Sequence, residues 1–131
     1  MAATQGSNSG PTPGTLGWLD LTADDASGLR DFYAAVVGWT AEDCPMDGYS
    51  DYIMKSADGE AVAGVCHARG ANEGMPSGWL PYVVVVDIDR AVAECTARGG
   101  EIVAGPMRSG DGTICVVRDP SGAAIALYRT G

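Results

Sequence analysis

Asp20 sits between Leu19 and Leu21 in an otherwise apolar segment, and a carboxylate in such surroundings is costly to bury unless it is paired or hydrogen-bonded. Three roles are open to it. It can make a structural hydrogen bond, for example to Tyr82; it can anchor a cationic or N–H-bearing ligand; or it can act as a general base if desolvation raises its pKa. The one histidine, His67, directly follows Cys66. Neighbours on a strand point to opposite faces, so these two cannot form a Cys-His nucleophile pair, and His67 is expected at a solvent-exposed or rim position. Cys44, Cys66, Cys95 and Cys115 lie 22, 29 and 20 positions apart with no C-x-x-C, which does not suit a structural zinc site. Ser77-Gly78 and Ser109-Gly110-Asp111-Gly112 resemble neither a nucleophile elbow nor a phosphate loop, and are expected to be loops.

Eight basic against seventeen acidic residues leave a net charge of −9, a balance that repels phosphate backbones and anionic membranes and would draw in a small cation. No apolar run approaches the ~20 residues of a spanning helix. The first residues, Met1 to Gly10, lack the basic and then apolar pattern of a secretion signal, so a cytoplasmic location with free thiols is expected. At 131 residues the chain is close to the length of one domain, about 150 residues.

The elements that must position these groups follow from periodicity and punctuation. Residues 1–14 carry little to bury and are expected to form a disordered tail ahead of a single domain over 15–131. A strand from Leu16 to Thr22 leads through Asp24-Asp25 into a helix. Leu29, Phe32, Tyr33, Val36 and Val37 form its apolar face, and Gly38 stops it. Three strands follow, Trp39–Cys44, Ser50–Ser56 and Ala61–Cys66, separated by turns at Met46-Asp47-Gly48 and Ala57-Asp58-Gly59. After a Gly-rich linker over 68–78 the order begins again: a strand over Leu80–Val86, a helix from Ile88 to about Arg98, and strands at Glu101–Ala104, Thr113–Val117 and Ala123–Tyr128. An offset of 62 positions superposes Asp25 on Asp87, Ala35 on Ala97, Gly38 on Gly100 and Ala61 on Ala123, so the chain reads as a duplicated β-α-β-β-β module over 15–67 and 79–131.

Asp31-Phe32-Tyr33 with Gly38-Trp39, Trp79-Leu80-Pro81-Tyr82 before Val-Asp-Ile-Asp, and Asp119-Pro120-Ser121-Gly122 before Ile125-Ala126-Leu127 together resemble the glyoxalase/bleomycin-resistance/dioxygenase superfamily, also called vicinal oxygen chelate. That resemblance implies an α+β fold in which two tandem βαβββ modules form a curved mixed sheet around a shared concave cavity. It also implies that metal-using members take ligands from the first and last strand of each module. Those positions fall here on Trp18, Leu80, Gly64 and Ala126, none of which can coordinate a metal, and their neighbours Gly17, Leu19, Trp79, Pro81, Ala63, Val65, Ile125 and Leu127 are no better donors. A metal-independent branch without cofactor is therefore expected.

Because side chains alternate along a strand, Trp18 brings Asp20 to the cavity side, Leu80 brings Tyr82 and Val84, Gly64 brings Val62 and Cys66, and Ala126 brings Ala124 and Tyr128. Tyr52 and Met54, or else Ile53, add to the lining. Trp18 can stack on a ligand or close the core. The set is apolar and aromatic with one carboxylate, which suits a small aromatic or cationic molecule. The expected protein is thus a metal-independent binder of such a ligand, of the kind that sequesters antibiotics, and a homodimer. Two alternatives stand beside it: a metal-free isomerase, lyase or cyclase using Asp20 as acid/base, and a metalloenzyme with unusual ligands such as Asp20 and His67.

Overall fold

The computed structural model describes residues 11–130, so most of the expected tail lies outside the described residues. Eight strands and two helices follow in two β-α-β-β-β runs: β1 (Leu16–Ala23), α1 (Ala26–Val37), β2 (Thr40–Pro45), β3 (Ser50–Lys55), β4 (Ala61–His67), then β5 (Gly78–Val84), α2 (Ile88–Ala97), β6 (Glu101–Ser109), β7 (Gly112–Arg118) and β8 (Ala124–Thr130). The fold is α+β and glyoxalase-like. Among the described residues no helix is long and apolar enough to cross a membrane.

Two compact units divide the described residues, one over 18–80 and the other over 81–130 together with 11–17. In the first, the strands run β2-β3-β4-β1; in the second, β5-β8-β7-β6. The duplication is visible in the register. β1 and β4 pair in parallel with Asp20 opposite Gly64, and β5 and β8 pair in parallel with Tyr82 opposite Ala126, the same pairing displaced by 62 residues. Thr12 to Thr15, at the end of the expected tail, form a turn in which the Thr15 hydroxyl donates to the Thr12 carbonyl. The Gly14 N–H donates to the Val84 carbonyl and the Val84 N–H to the Thr15 carbonyl, which ties the segment to β5. The linker holds one short 3-10 turn, Gly70–Asn72.

Both helices begin as their sequences dictate. The Asp25 carboxylate accepts from the Gly28 N–H at 3.0 Å, and Asp87 accepts from the Arg90 N–H at 3.1 Å, so each aspartate satisfies a backbone donor that the first turn would otherwise leave open. Their ends differ by one residue from the expected repeat. Gly38, the cap of α1, takes the left-handed conformation with φ 89°, whereas α2 is two residues shorter and capped by Arg98, and it is Gly99, not Gly100, that takes that conformation after it, with φ 94°.

In the first unit Leu21, Ala26, Tyr52, Met54, Ala63 and Val65 form the core between α1 and one side of the sheet, with Leu29, Tyr33, Trp39 and Trp79 packed against it. The apolar face expected for α1 is divided: Leu29 and Tyr33 reach the core, whereas Phe32, Val36 and Val37 stay 52%, 65% and 51% exposed. In the second unit Ile88, Cys115 and Val117 form the core with Val85, Val92, Cys95, Ile125 and Leu127. β6 runs five residues beyond its expected end. Gly105-Pro106 reads as a stop in sequence, but β6 lies at the end of its strand order, and its pairing with β7 shifts register between Ala104 and Met107. An edge position with an irregularity is where a strand tolerates a residue that lacks an N–H.

Candidate functional site

The side of each unit's sheet turned away from its helix carries the candidate residues. In β1, Leu19 and Leu21 belong to the helix-side core, so alternation places Trp18, Asp20 and Thr22 on the other side. There the indole Nε1–H of Trp18 donates to Oδ1 of Asp20 at 2.6 Å. This bond supplies a partner that a carboxylate between two leucines requires, and its donor comes from two residues away on the same strand. Trp18 is consequently fixed by its edge, leaving its ring as a rigid plane rather than a freely rotating one.

Gly64 makes this arrangement possible. It faces Asp20 across the parallel β1–β4 pair, and a Cβ built on it would lie 2.3 Å from Asp20 Oδ1 and 3.4 Å from Trp18 Nε1. The carboxylate thus lies directly over the Gly64 backbone, in space that any other residue would fill. Cys66, opposite Thr22, shares that side. Burial pushes its thiol pKa up to about 12, and the nearby Asp20 and Asp51 carboxylates and Cys44 add to the shift, because each disfavours a further negative charge. At neutral pH Cys66 is a protonated thiol and a poor nucleophile.

The parity of β3 corrects part of the expected lining. Ile53 pairs with Gly64, while Tyr52 pairs with Val65 and Met54 with Ala63. Ile53 therefore shares the side of Asp20 and Gly64, and Tyr52 and Met54 belong to the opposite side, 5% and 0% exposed in the core beneath α1. The Tyr52 hydroxyl is 2.9 Å from Ser27 Oγ on α1, and the Arg30 guanidinium lies 4.7 Å from its ring centroid. Both residues stabilise the helix on the sheet and are not lining residues.

His67 is not solvent-exposed, one of the two positions expected of it. It is the last residue of β4, half-buried, with its ring near those of Tyr49 and Tyr52. Its ring Nδ1 is 2.9 Å from the Ser50 carbonyl oxygen, and its backbone N–H donates to the buried Asp51 carboxylate at 2.8 Å. Since His67 pairs with Ala23 and Asp20 with Gly64, an odd number of residues apart, the two point to opposite sides and do not converge on one ion. Cys66 and His67 are separated in the same way.

In the second unit Tyr82 lies opposite Ala126 and Val84 opposite Tyr128, so these four share the side away from α2, with Val116 and Ile114 of β7 beside them. Ala126 and Val116 are fully buried and Tyr128 is half-buried. Leu80, 5% exposed, points to the same side of β5 as Tyr82. The four positions that the resemblance assigns to metal ligands, Trp18, Leu80, Gly64 and Ala126, carry an indole, a leucine, a glycine and an alanine. None of the four is a donor, and among the described residues no three of His, Cys, Asp and Glu gather as a metal set. The residues present do not fit a metal ion of the family's kind.

Two duplicated βαβββ modules with these paired registers define a glyoxalase-type protein. The chain matches the model of the Glyoxalase/Bleomycin resistance protein/Dioxygenase superfamily over residues 15–127 and belongs to that family. It is 37% identical to a putative glyoxylase, CFP32, of Mycobacterium tuberculosis over 88% of this chain and 46% of that protein. It is 33% identical to the anthracycline biosynthesis protein DnrV of Streptomyces peucetius over 91% of this chain and 48% of that protein. The chain spans about half the length of these relatives. Among solved structures, Streptomyces coelicolor methylmalonyl-CoA epimerase in complex with 2-nitronate-propionyl-CoA superposes with a TM-score of 0.58 over 92% of this chain and 99% of that one, at 15% identity. That likeness is one of fold.

Proposed function

We propose that this chain is a metal-independent small-molecule binding protein of the glyoxalase/bleomycin-resistance type, and that its ligand is a flat aromatic molecule, one carrying a cationic group above all. The observation that carries the reading is the Trp18–Asp20 unit over Gly64. Where metal-using relatives place ligands, this chain places an indole plane held edge-on by a carboxylate. A rigid aromatic face beside a negative group is the chemistry that recognises a planar cation, and the charge of −9 enriches such a ligand around the protein. The relative named for anthracycline biosynthesis supports a polycyclic aromatic ligand of that class. Sequestration of such a compound is one use of this site.

Titration of the protein with an anthracycline, followed by tryptophan fluorescence, tests the proposal. Saturable quenching is expected, and Asp20→Asn should weaken binding by about 1.5–3 kcal/mol, the worth of a hydrogen bond to a charged group. A ligand that binds the variant unchanged while the melting temperature falls would assign Asp20 a structural role instead. If the variant still binds but a turnover seen with the native chain drops about 10²- to 10⁴-fold, Asp20 is a general acid/base and the protein is an isomerase, lyase or cyclase. No saturable response to any planar aromatic would overturn the proposal.

A further inference from the structure

The second unit holds a cavity of about 520 Å³ beside the start of α2, with Val86, Asp87, Asp89, Pro106, Thr113 and Arg129 in its walls. Its size is that of a small-molecule site. Thr113 pairs with Arg129 and Cys115 with Leu127, and Cys115 and Leu127 belong to the core with Ile88 of α2. Alternation therefore turns Thr113 and Arg129 to the helix side, the opposite side of that sheet from Tyr82 and Ala126.

The charges of this cavity are opposite and held apart. Arg129 Nε donates to the Val86 carbonyl at 2.8 Å, which pins the guanidinium by one edge. Among the described residues its terminal nitrogens have no hydrogen-bond partner, and no ion pair joins it to Asp87 or Asp89. Asp87 is engaged through Oδ1 with the Arg90 N–H. Asp89 is exposed in the first turn of α2 and accepts no hydrogen bond among the described residues. A guanidinium and a carboxylate that share a cavity pair strongly when they meet; here each is left open to a third group. The duplication supplies an internal control. At the offset of 62, Asp89 corresponds to Ser27 and Arg129 to His67. Ser27 meets the Tyr52 hydroxyl, and the His67 ring packs near those of Tyr49 and Tyr52. The first module satisfies both positions from within, so the fold itself does not require an open charge at either.

We propose that this cavity binds a small zwitterion, an amino acid with an apolar side chain, its carboxylate on the Arg129 guanidinium and its ammonium on Asp89. The walls select that class. A plain anion would meet Asp87, Asp89 and a net charge of −9, and a plain cation would meet Arg129. A zwitterion satisfies both signs and is not repelled by the net charge. The planar fork of a guanidinium matches a carboxylate, the Thr113 hydroxyl stands beside it on the paired strand, and Val86 and Pro106 give the side chain an apolar wall.

Titration with L-phenylalanine, followed by nuclear magnetic resonance, tests this beside phenethylamine, which carries the ammonium alone, and hydrocinnamate, which carries the carboxylate alone. Saturable shifts are expected at the amides of Asp87, Asp89 and Thr113 and at the Arg129 Nε–H, with a dissociation constant at least about tenfold lower for L-phenylalanine than for either analogue. Arg129→Gln should weaken L-phenylalanine by a similar factor. Asp89→Asn should do so too, yet tighten hydrocinnamate, a crossover that a merely structural role would not produce. Both side chains are exposed, so the melting temperature should stay within a few degrees. Asp20→Asn should leave this binding unchanged, which separates it from the planar ligand of the other site. No saturable shift with L-phenylalanine, equal affinity for a one-charge analogue, or variants that bind as the native chain does would overturn the proposal.

Discussion

Substituting alanine for Gly64 isolates the contact on which the candidate site depends. The new Cβ would lie 2.3 Å from Asp20 Oδ1, more than 1 Å inside an ordinary contact. The carboxylate must therefore move, and it cannot do so without lengthening its 2.6 Å bond from the Trp18 indole. Loss of a hydrogen bond to a charged acceptor costs about 1.5–3 kcal/mol, and replacing glycine where the backbone already suits alanine returns about 0.4–1 kcal/mol through the unfolded chain. A net loss of about 0.5–2.6 kcal/mol is expected, or a melting temperature lower by roughly 2–12 °C for a domain of this size. The cost should be specific to Asp20: in an Asp20→Ala background no Oδ1 remains to collide, and Gly64→Ala should become neutral or slightly stabilising. Thermal melts of the four proteins in the cycle give the coupling, expected at about 1.5–3 kcal/mol, and the indole N–H proton resonance of Trp18 should move upfield in the single variant. Equal costs of Gly64→Ala in both backgrounds, with an unmoved indole resonance, would refute the account.

Two further outcomes follow from the geometry. Tyr52→Phe should lower stability by about 1 kcal/mol through loss of the Ser27 contact and leave ligand affinity unchanged, because Tyr52 is on the helix side; a fluorescence titration with altered affinity would contradict that placement. Cys66 has a folded-state pKa of about 12, above its unfolded value near 8.5. Its neutral thiol contributes stability below about pH 8.5 that is lost progressively as pH rises towards 12, and at pH 8 it should be the slowest of the part-exposed cysteines to react with a thiol reagent, as peptide-resolved mass spectrometry would show.

Much of this was legible in the sequence because it rests on local chemistry. Asp25 and Asp87 announce helix starts by residue type, and the offset of 62 that aligns them also aligns the parallel pairs Asp20–Gly64 and Tyr82–Ala126. The absence of donors at Trp18, Leu80, Gly64 and Ala126 is a matter of residue identity. What was illegible is settled between strands. Tyr52, Ile53 and Met54 are all apolar, so alternation within β3 cannot say which side each takes, and only its pairing with β4 decides that Ile53 faces Asp20. Similarly, Leu29, Phe32, Tyr33, Val36 and Val37 read as one face, but the sheet beneath α1 reaches only part of that arc. The Trp18–Asp20 bond could have been foreseen, since residues two apart on a strand share a side.

The short turn at Thr12–Thr15 bears on how this protein can be dissected. The chain's first described residues belong with its last fifty: Gly14 and Thr15 hold both backbone groups of Val84, while the module that follows them in sequence is the other unit. Cutting at the linker therefore does not yield two self-sufficient halves. The carboxy-terminal fragment would lose the strand start that caps β5, and the amino-terminal fragment would carry it without a partner. Mixed together, such fragments have a reason to find each other.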